Sequence, residues 1–211
     1  TSEKFDITVK PVLELYYDYK DKEENLTQDK INETLEYVNI SRVNITEDFI
    51  TIEKEMNLTL DGIAKGYGVD KASEVLTDKG FKDHLVNIGG EVRCSGLLKG
   101  KKWRVGIADP SDSSAYKTIE ISDLSVATSG QNQQRHIINP KTGLYVEGDG
   151  GVTVIGENCT YCDALATALF VLWFDDGETN VVDKLEEIGF DYFIIIPDVS
   201  SPGFEELASF P

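Results

Sequence analysis

The stretch Leu85-Val-Asn-Ile-Gly-Gly-Glu-Val-Arg-Cys-Ser95 decides the fold class. Two short runs of strand-forming residues flank Gly89-Gly90, a pair that lets the backbone turn back or lie flat against a ligand. Read as a turn, it joins the two runs without a crossover helix. Outward from this element, Val69, Ala72, Val75 and Leu76 recur at helical spacing, which predicts a helix within residues 61–79 that stops at Gly80. Strands are expected at residues 103–107, 118–121, 125–128, 152–155 and 192–196. Residues 163–174 read as a helix apolar nearly all round, hence buried, and residues 180–188 as an amphipathic helix. Toward the N-terminus, residues 1–20 start extended and turn apolar, Thr27 reads as the cap of a short helix, residues 43–52 as a hairpin and residues 58–60 as a short strand. Helices and strands mix without a βαβ rhythm. The expected class is α+β, a largely antiparallel sheet core packed with helices, in a single domain over residues 1–211.

Composition bounds the function. The chain is 40% hydrophobic and 27% charged, an ordinary globular balance that excludes wholesale disorder. The apolar run at residues 164–174 falls short of the roughly 18 residues of a membrane span. A formal charge of −18 disfavours nucleic acid as a partner, so an anionic small molecule would need a local cation or a helix N-terminus. Cys159 and Cys162 form a lone CxxC. With only His84 and His136 as further ligands, zinc is disfavoured; packed thiols are the default, with a redox role or a local disulfide left open. Six of ten asparagines (25, 32, 39, 44, 57 and 158) begin an Asn-x-Ser/Thr triplet. That fits an exported protein, at a cell surface or in a periplasm-like space, as well as a Thr- and Asn-rich stretch.

Four segments could carry chemistry. In Leu60-Asp-Gly-Ile-Ala-Lys-Gly-Tyr-Gly-Val-Asp70, glycines precede a helix start and Lys65 adds positive charge, a combination that suits an anion; neither a P-loop nor a dinucleotide fingerprint is present. In Asp163-Ala-Leu-Ala-Thr167, a carboxylate and a hydroxyl one helical turn apart suit a hard cation such as Mg²⁺. The alternative is an Asp at the helix start with a Thr bonded back to it. Thr128-Ser-Gly130 leads toward Arg135-His136 and the turn Asn139-Pro-Lys-Thr-Gly143. The Gly89-Gly90 element is the fourth.

The order of these segments resembles the FAD:protein FMN transferases, the ApbE-type flavin transferases. The motifs are Asp61-Gly-Ile-Ala-Lys-Gly-Tyr-Gly-Val-Asp70, Val86-Asn-Ile-Gly-Gly-Glu-Val92 and Trp103-Arg-Val-Gly-Ile-Ala-Asp-Pro110. Ala127-Thr-Ser-Gly130, His136-Ile-Ile-Asn-Pro-Lys-Thr-Gly143, Val152-Thr-Val154 and Asp163-Ala-Leu-Ala-Thr-Ala-Leu-Phe-Val-Leu172 follow. The resemblance runs from Phe5-Asp-Ile-Thr8 to Phe193-Ile-Ile-Ile-Pro197, without the N-terminal region usual in the family, and Asn139 stands where the family has a carboxylate. It implies Mg²⁺-dependent transfer of FMN from FAD to a Thr or Ser hydroxyl of a secreted or membrane-associated redox protein, with release of AMP. It implies a metal held by Asp163, Thr167 and the Ala64 carbonyl. It implies a catalytic set of His136, Lys65 and Asp163, with His136 as general base and Lys65 on the pyrophosphate. Cofactor-binding candidates by the same resemblance are Lys65, Gly66, Tyr67, Asp70, Gly89, Gly90, Glu91, Thr128, Ser129, Gly130 and His136. The alternatives are a Mg²⁺-dependent FAD pyrophosphatase, with water as the nucleophile, and an FAD-binding protein without transferase activity.

Overall fold

The computed structural model describes residues 4–22, 25–108, 115–131, 135–177, 189–197 and 204–208. Its centre is a six-stranded, wholly antiparallel sheet. The strands are β3 (His84–Ile88), β4 (Glu91–Ser95), β7 (Leu124–Gln131), β8 (Gly150–Gly156), β9 (Asp191–Pro197) and β10 (Phe204–Ala208), in the spatial order β10-β9-β8-β7-β4-β3. The Gly89-Gly90 turn joins β3 to β4 as a hairpin, with Ile88 opposite Glu91 and His84 opposite Ser95. Both glycines have positive φ (63° and 111°), a backbone that residues with a Cβ rarely adopt.

Strands β7 and β8 are buried on both faces, and their alternation feeds two cores. On one face Ala127, Val152 and Val154 pack with Ile137, Leu169 and Phe170. The last two belong to α4 (Cys159–Val171), whose nearly uniform apolarity is explained by this burial. On the other face Val92, Val126 and Ile155 pack under a separate two-stranded sheet, β5 (Trp103–Ala108) with β6 (Ala115–Ile121), which contributes Val105, Ile107, Ile119 and Ile121. Helix α3 (Ala64–Asp78) lies beside α4 and the β3–β4 hairpin. It ends where the sequence indicates: Gly80 takes φ of 86°, and Phe81 N–H donates to the Leu76 carbonyl at 3.0 Å.

The α+β reading holds, and most elements fall where the residue pattern puts them. Thr27 caps α2 (Gln28–Leu35), and residues 43–52 form the hairpin of β1 (Asn44–Ile45) and β2 (Ile50–Thr51). Two local expectations fail. The extended start expected within residues 1–20 is over by Ile7: Ile7–Val9 make a single 3-10 turn capped by Asp6, and α1 (Lys10–Lys22) follows. Pro11 is tolerated because it falls in the first turn, where its missing N–H has no partner to lose. Residues 58–60 form no strand; instead the Thr59 N–H bonds the Ile7 carbonyl at 2.8 Å, which ties the N-terminal turn to the start of α3. The helix expected at residues 180–188 lies outside the described residues, as do Asp109 and Pro110 of the Trp103 motif. No helix among the described residues is long and apolar enough to cross a membrane.

Candidate functional site

Helices α3 and α4 are in close contact at Gly66. A Cβ there would collide with the Cys159 carbonyl oxygen and lie 2.8 Å from the Asp163 Cβ. The absent side chain lets the Gly66 N–H donate to Asp163 Oδ2 at 2.9 Å. Asp163 is in the second turn of α4 and does not cap it; Asn158 does, accepting from Tyr161 N–H at 2.9 Å. Asp163 is therefore spare for chemistry. The residue is only 3% exposed. Burial pushes its pKa up, while the Gly66 N–H and the Lys65 ammonium pull it back. One turn on, the Thr167 hydroxyl meets Ser129 Oγ of β7 at 2.8 Å, and its distance to the Asp163 carbonyl is 3.5 Å. Asp163, Thr167 and Ser129 thus converge from two elements.

Lys65, one residue before Gly66, pairs with Glu91 at the start of β4. The Lys65 side chain is 43% exposed and that of Glu91 2%. Burial raises the Glu91 pKa, the Lys65 contact lowers it, and the Asp163 charge raises it again. Glu91 Oε2 is shielded from water and has no hydrogen-bond partner among the described residues.

Two clefts meet at these residues. The larger, about 660 Å³, is lined by the β3–β4 turn with Glu91, by Arg104 and Val105 of β5, and by Gln131 and Gly151. The smaller, about 360 Å³, runs from Phe5, Asp6 and Ile7 past Asp61 and Gly62 to Asp163, Thr167 and Ser129. Both are lined by Lys65, Thr128, Gly130 and His136. Each volume is in the range of small-molecule sites. Thr128 is fixed by its hydroxyl contact with Thr153 at 2.8 Å. His136 is exposed, and its backbone is held by Gln131, whose side-chain oxygen accepts from the N–H groups of His136 and Ile137, both at 3.3 Å. The Gln131 amide in turn donates to the carbonyls of Val146 (2.8 Å) and Gly148 (3.0 Å).

The structure thus brings Lys65, Gly89, Gly90, Glu91, Thr128, Ser129, Gly130, His136, Asp163 and Thr167 to one pair of joined clefts. It does not bring Asp70 or Tyr67 there. Asp70 accepts from Cys159 N–H (3.0 Å) and from the Thr160 N–H (2.8 Å) and hydroxyl (2.6 Å), and faces Arg93 at 3.6 Å. Its work is to tie the start of α4 to α3. Tyr67 points outward, 55% exposed, with the Lys71 ammonium 5.6 Å from its ring centre. Gly66 contributes by letting the helices touch. Ala64 opens α3 between Gly62 and Lys65 but lines neither cleft. The expectation of an open, anion-binding helix start also needs correction. The N–H groups of Ala64, Gly66 and Tyr67 are already bonded to Leu60, Asp163 and Ile63, so positive charge at this end of α3 comes from the Lys65 side chain.

Sequence reasoning missed Gln131, Arg104, Asn87 and Phe5 as site residues. Each is part of, or next to, a quoted motif, but nothing local marks a Gln as the clamp of a histidine five residues on. The cysteines are free and buried, and burial pushes the Cys94 thiol up to about 11, so the packed-thiol reading stands. Among the described residues no three His, Cys, Asp or Glu side chains converge as a ready-made metal cage. What the cleft offers a cation is one buried carboxylate and a hydroxyl. Such hard oxygen donors, few in number, suit Mg²⁺, which fills its remaining positions with water and substrate phosphate.

A model of the ApbE family matches residues 1–189. The chain belongs to the ApbE family. A relative, the FAD:protein FMN transferase of Vibrio cholerae, is 31% identical over 229 aligned positions, covering 99% of this chain and 66% of that protein. The namesake from Haemophilus influenzae is 29% identical, with 93% and 62% covered. The ApbE-family chain thus spans under two thirds of the length of these relatives. Among solved structures, the flavin transferase ApbE of Vibrio cholerae superposes with a TM-score of 0.79 at 32% identity, over 97% of this chain and 68% of that one. An ApbE protein of Thermotoga maritima gives 0.82 at 28% identity, over 95% and 68%.

Proposed function

We propose that this ApbE-family chain transfers FMN from FAD to a Thr or Ser hydroxyl of an acceptor redox protein, with Mg²⁺, and releases AMP. The observation that carries this reading is the junction of two clefts at Lys65, Thr128, Gly130 and His136, with the Asp163–Thr167 pair in one of them. A bent, two-ended substrate with phosphates in its middle matches two clefts that share one charged junction.

The bond changes are these. The acceptor hydroxyl oxygen bonds the FMN phosphorus, and the bond from that phosphorus to the bridging oxygen breaks. AMP leaves with the bridging oxygen and its electron pair. The hydroxyl proton passes to the imidazole of His136, whose backbone N–H Gln131 holds at the junction, a base worth roughly 10²–10⁴-fold. Lys65 orients the pyrophosphate. Thr128, Ser129 and Gly130 line its path, and Gly89 and Gly90 let the ligand approach the β3–β4 backbone. Asp163 and Thr167 are the cleft groups that would hold Mg²⁺, with the Ala64 carbonyl a third oxygen on the strength of the family resemblance alone. Bound there, the ion supplies neutralisation of the phosphate oxygens, about several kcal/mol of transition-state stabilisation. Export to a cell surface or periplasm-like compartment, and a secreted or membrane-associated acceptor, belong to the same proposal.

The test incubates the chain with FAD and a Thr-containing acceptor domain, with and without Mg²⁺, and follows AMP by chromatography and the acceptor by mass. The expected result is an acceptor heavier by one FMN only with Mg²⁺, and loss of AMP release by at least about 100-fold in Asp163→Ala with an unchanged circular dichroism spectrum. AMP without acceptor modification replaces transfer by FAD hydrolysis. FAD bound with neither product leaves a flavin-binding protein.

A further inference from the structure

Glu91 is the feature that transfer chemistry does not explain. It is 1% exposed, one oxygen bonds the Lys65 ammonium, and the other, Oε2, has no partner among the described residues. An acidic side chain in a pocket for an anionic substrate works against binding, because it cancels the cation that the anion needs. The same imbalance extends over the whole junction. Lys4, Lys65 and Arg104 are the lysine and arginine side chains lining the two clefts, against the carboxylates of Asp6, Asp61, Glu91 and Asp163. The lining carries one negative charge in excess.

We propose that Glu91 is a specificity-determining residue that holds Lys65 charge-compensated, so that a diphosphate is accepted only together with a divalent cation. The proposal rests on the reading of this junction as a phosphate site. Bare pyrophosphate, approaching Lys65, meets an ammonium whose charge Glu91 has already met and the further negative charge of Asp163. Drawing Lys65 away would leave Glu91 buried without a counter-charge, a costly state, so the pair stays together. A diphosphate that arrives with Mg²⁺ brings its own positive charge to the Asp163 side and is not rejected. The site thereby discriminates against diphosphates that arrive without a divalent cation.

The test is binding, not turnover. Inorganic pyrophosphate is titrated calorimetrically into the metal-stripped chain, with EDTA or with excess Mg²⁺, at a pH well above the carboxylate range. The wild type is compared with Glu91→Gln and with Glu91→Met, which removes the charge without an amide. Melting curves establish that each variant is folded. The expected result is that metal-free pyrophosphate binds both variants about tenfold tighter than the wild type, while affinity in the presence of Mg²⁺ changes much less. Equal metal-free affinity in all three folded proteins, equal gains with and without Mg²⁺, or no pyrophosphate binding to any of them overturns the proposal. Failure of the transferase reading has a different signature, the absence of AMP from FAD with Mg²⁺, and leaves the pyrophosphate comparison interpretable.

Discussion

At Gly66 a missing methyl group sets the geometry of the site. The contact that lets its N–H reach Asp163 Oδ2 leaves no room for a Cβ, because the obstacles are a backbone carbonyl and a short, buried side chain, neither of which can swing aside. Gly66→Ala is expected to destabilise the chain by about 3 kcal/mol, the upper range for overpacking, and to weaken FAD binding because Asp163 moves with α4. Urea denaturation followed by flavin titration checks both; native stability in the alanine variant would show that the helices are not in contact there. Asn139 is a second residue whose identity is set by its neighbour. Its side-chain amide donates to Asp175 Oδ2 at 2.6 Å, and its backbone closes the turn to Gly143 and Leu144. A carboxylate at 139 would place two negative charges in contact, so the departure from the family pattern is consistent with its surroundings.

At the scale of elements, the start of α4 hangs on Asp70 of α3. Asp70→Ala removes three accepted hydrogen bonds and the carboxylate that faces Arg93. The expected cost is about 2 kcal/mol, read as a lower urea midpoint, with FAD affinity preserved once the variant is folded. A variant with native stability and lost affinity would return Asp70 to the binding site. This residue also marks the limit of what the sequence discloses. Gly80, the Gly89-Gly90 pair, the Asp163–Thr167 spacing and the uniform apolarity of α4 each signal locally, because a turn, a helix end or a buried face is written in neighbouring residues. Asp70 is in a motif beside Lys65 and was read with it, yet its side chain turns to the other end of the interhelical contact. Residues 7–22 carry no local mark of a helix, with Val9, Val12 and a run of tyrosines that favour strands. Their helix is stabilised instead by contacts outside the segment: the fully buried Val12, and Tyr16, whose hydroxyl donates to the Gly143 carbonyl at 3.1 Å. Strand β10 carries charged residues, and nothing in its own pattern marks it as the sheet edge it becomes.

Across the whole molecule, 38 acidic residues against 20 basic ones place a charge of −18 on a 23.4 kDa chain. Several of its ion pairs, such as Lys30 with Glu33 and Lys71 with Glu74, are exposed and contribute little. Self-repulsion is therefore the larger long-range effect. Raising NaCl from about 10 mM to about 150 mM shortens the screening length from roughly 30 Å to 8 Å. The melting temperature is expected to rise by about 2–4 °C, the shift that roughly 1 kcal/mol produces at this size. A scan in buffers of fixed pH checks it; a fall with salt would mean that attractive surface pairs outweigh the net charge.

The three thiols have a practical corollary. Cys94, Cys159 and Cys162 are all 0% exposed, and burial holds each in its protonated form. A maleimide dye meets no native thiol on the folded surface, so a cysteine introduced at the exposed Lys79, past the end of α3 and away from both clefts, becomes a unique thiol handle. The molecule comes ready for single-fluorophore labelling, and with it for watching an acceptor protein arrive and depart in real time.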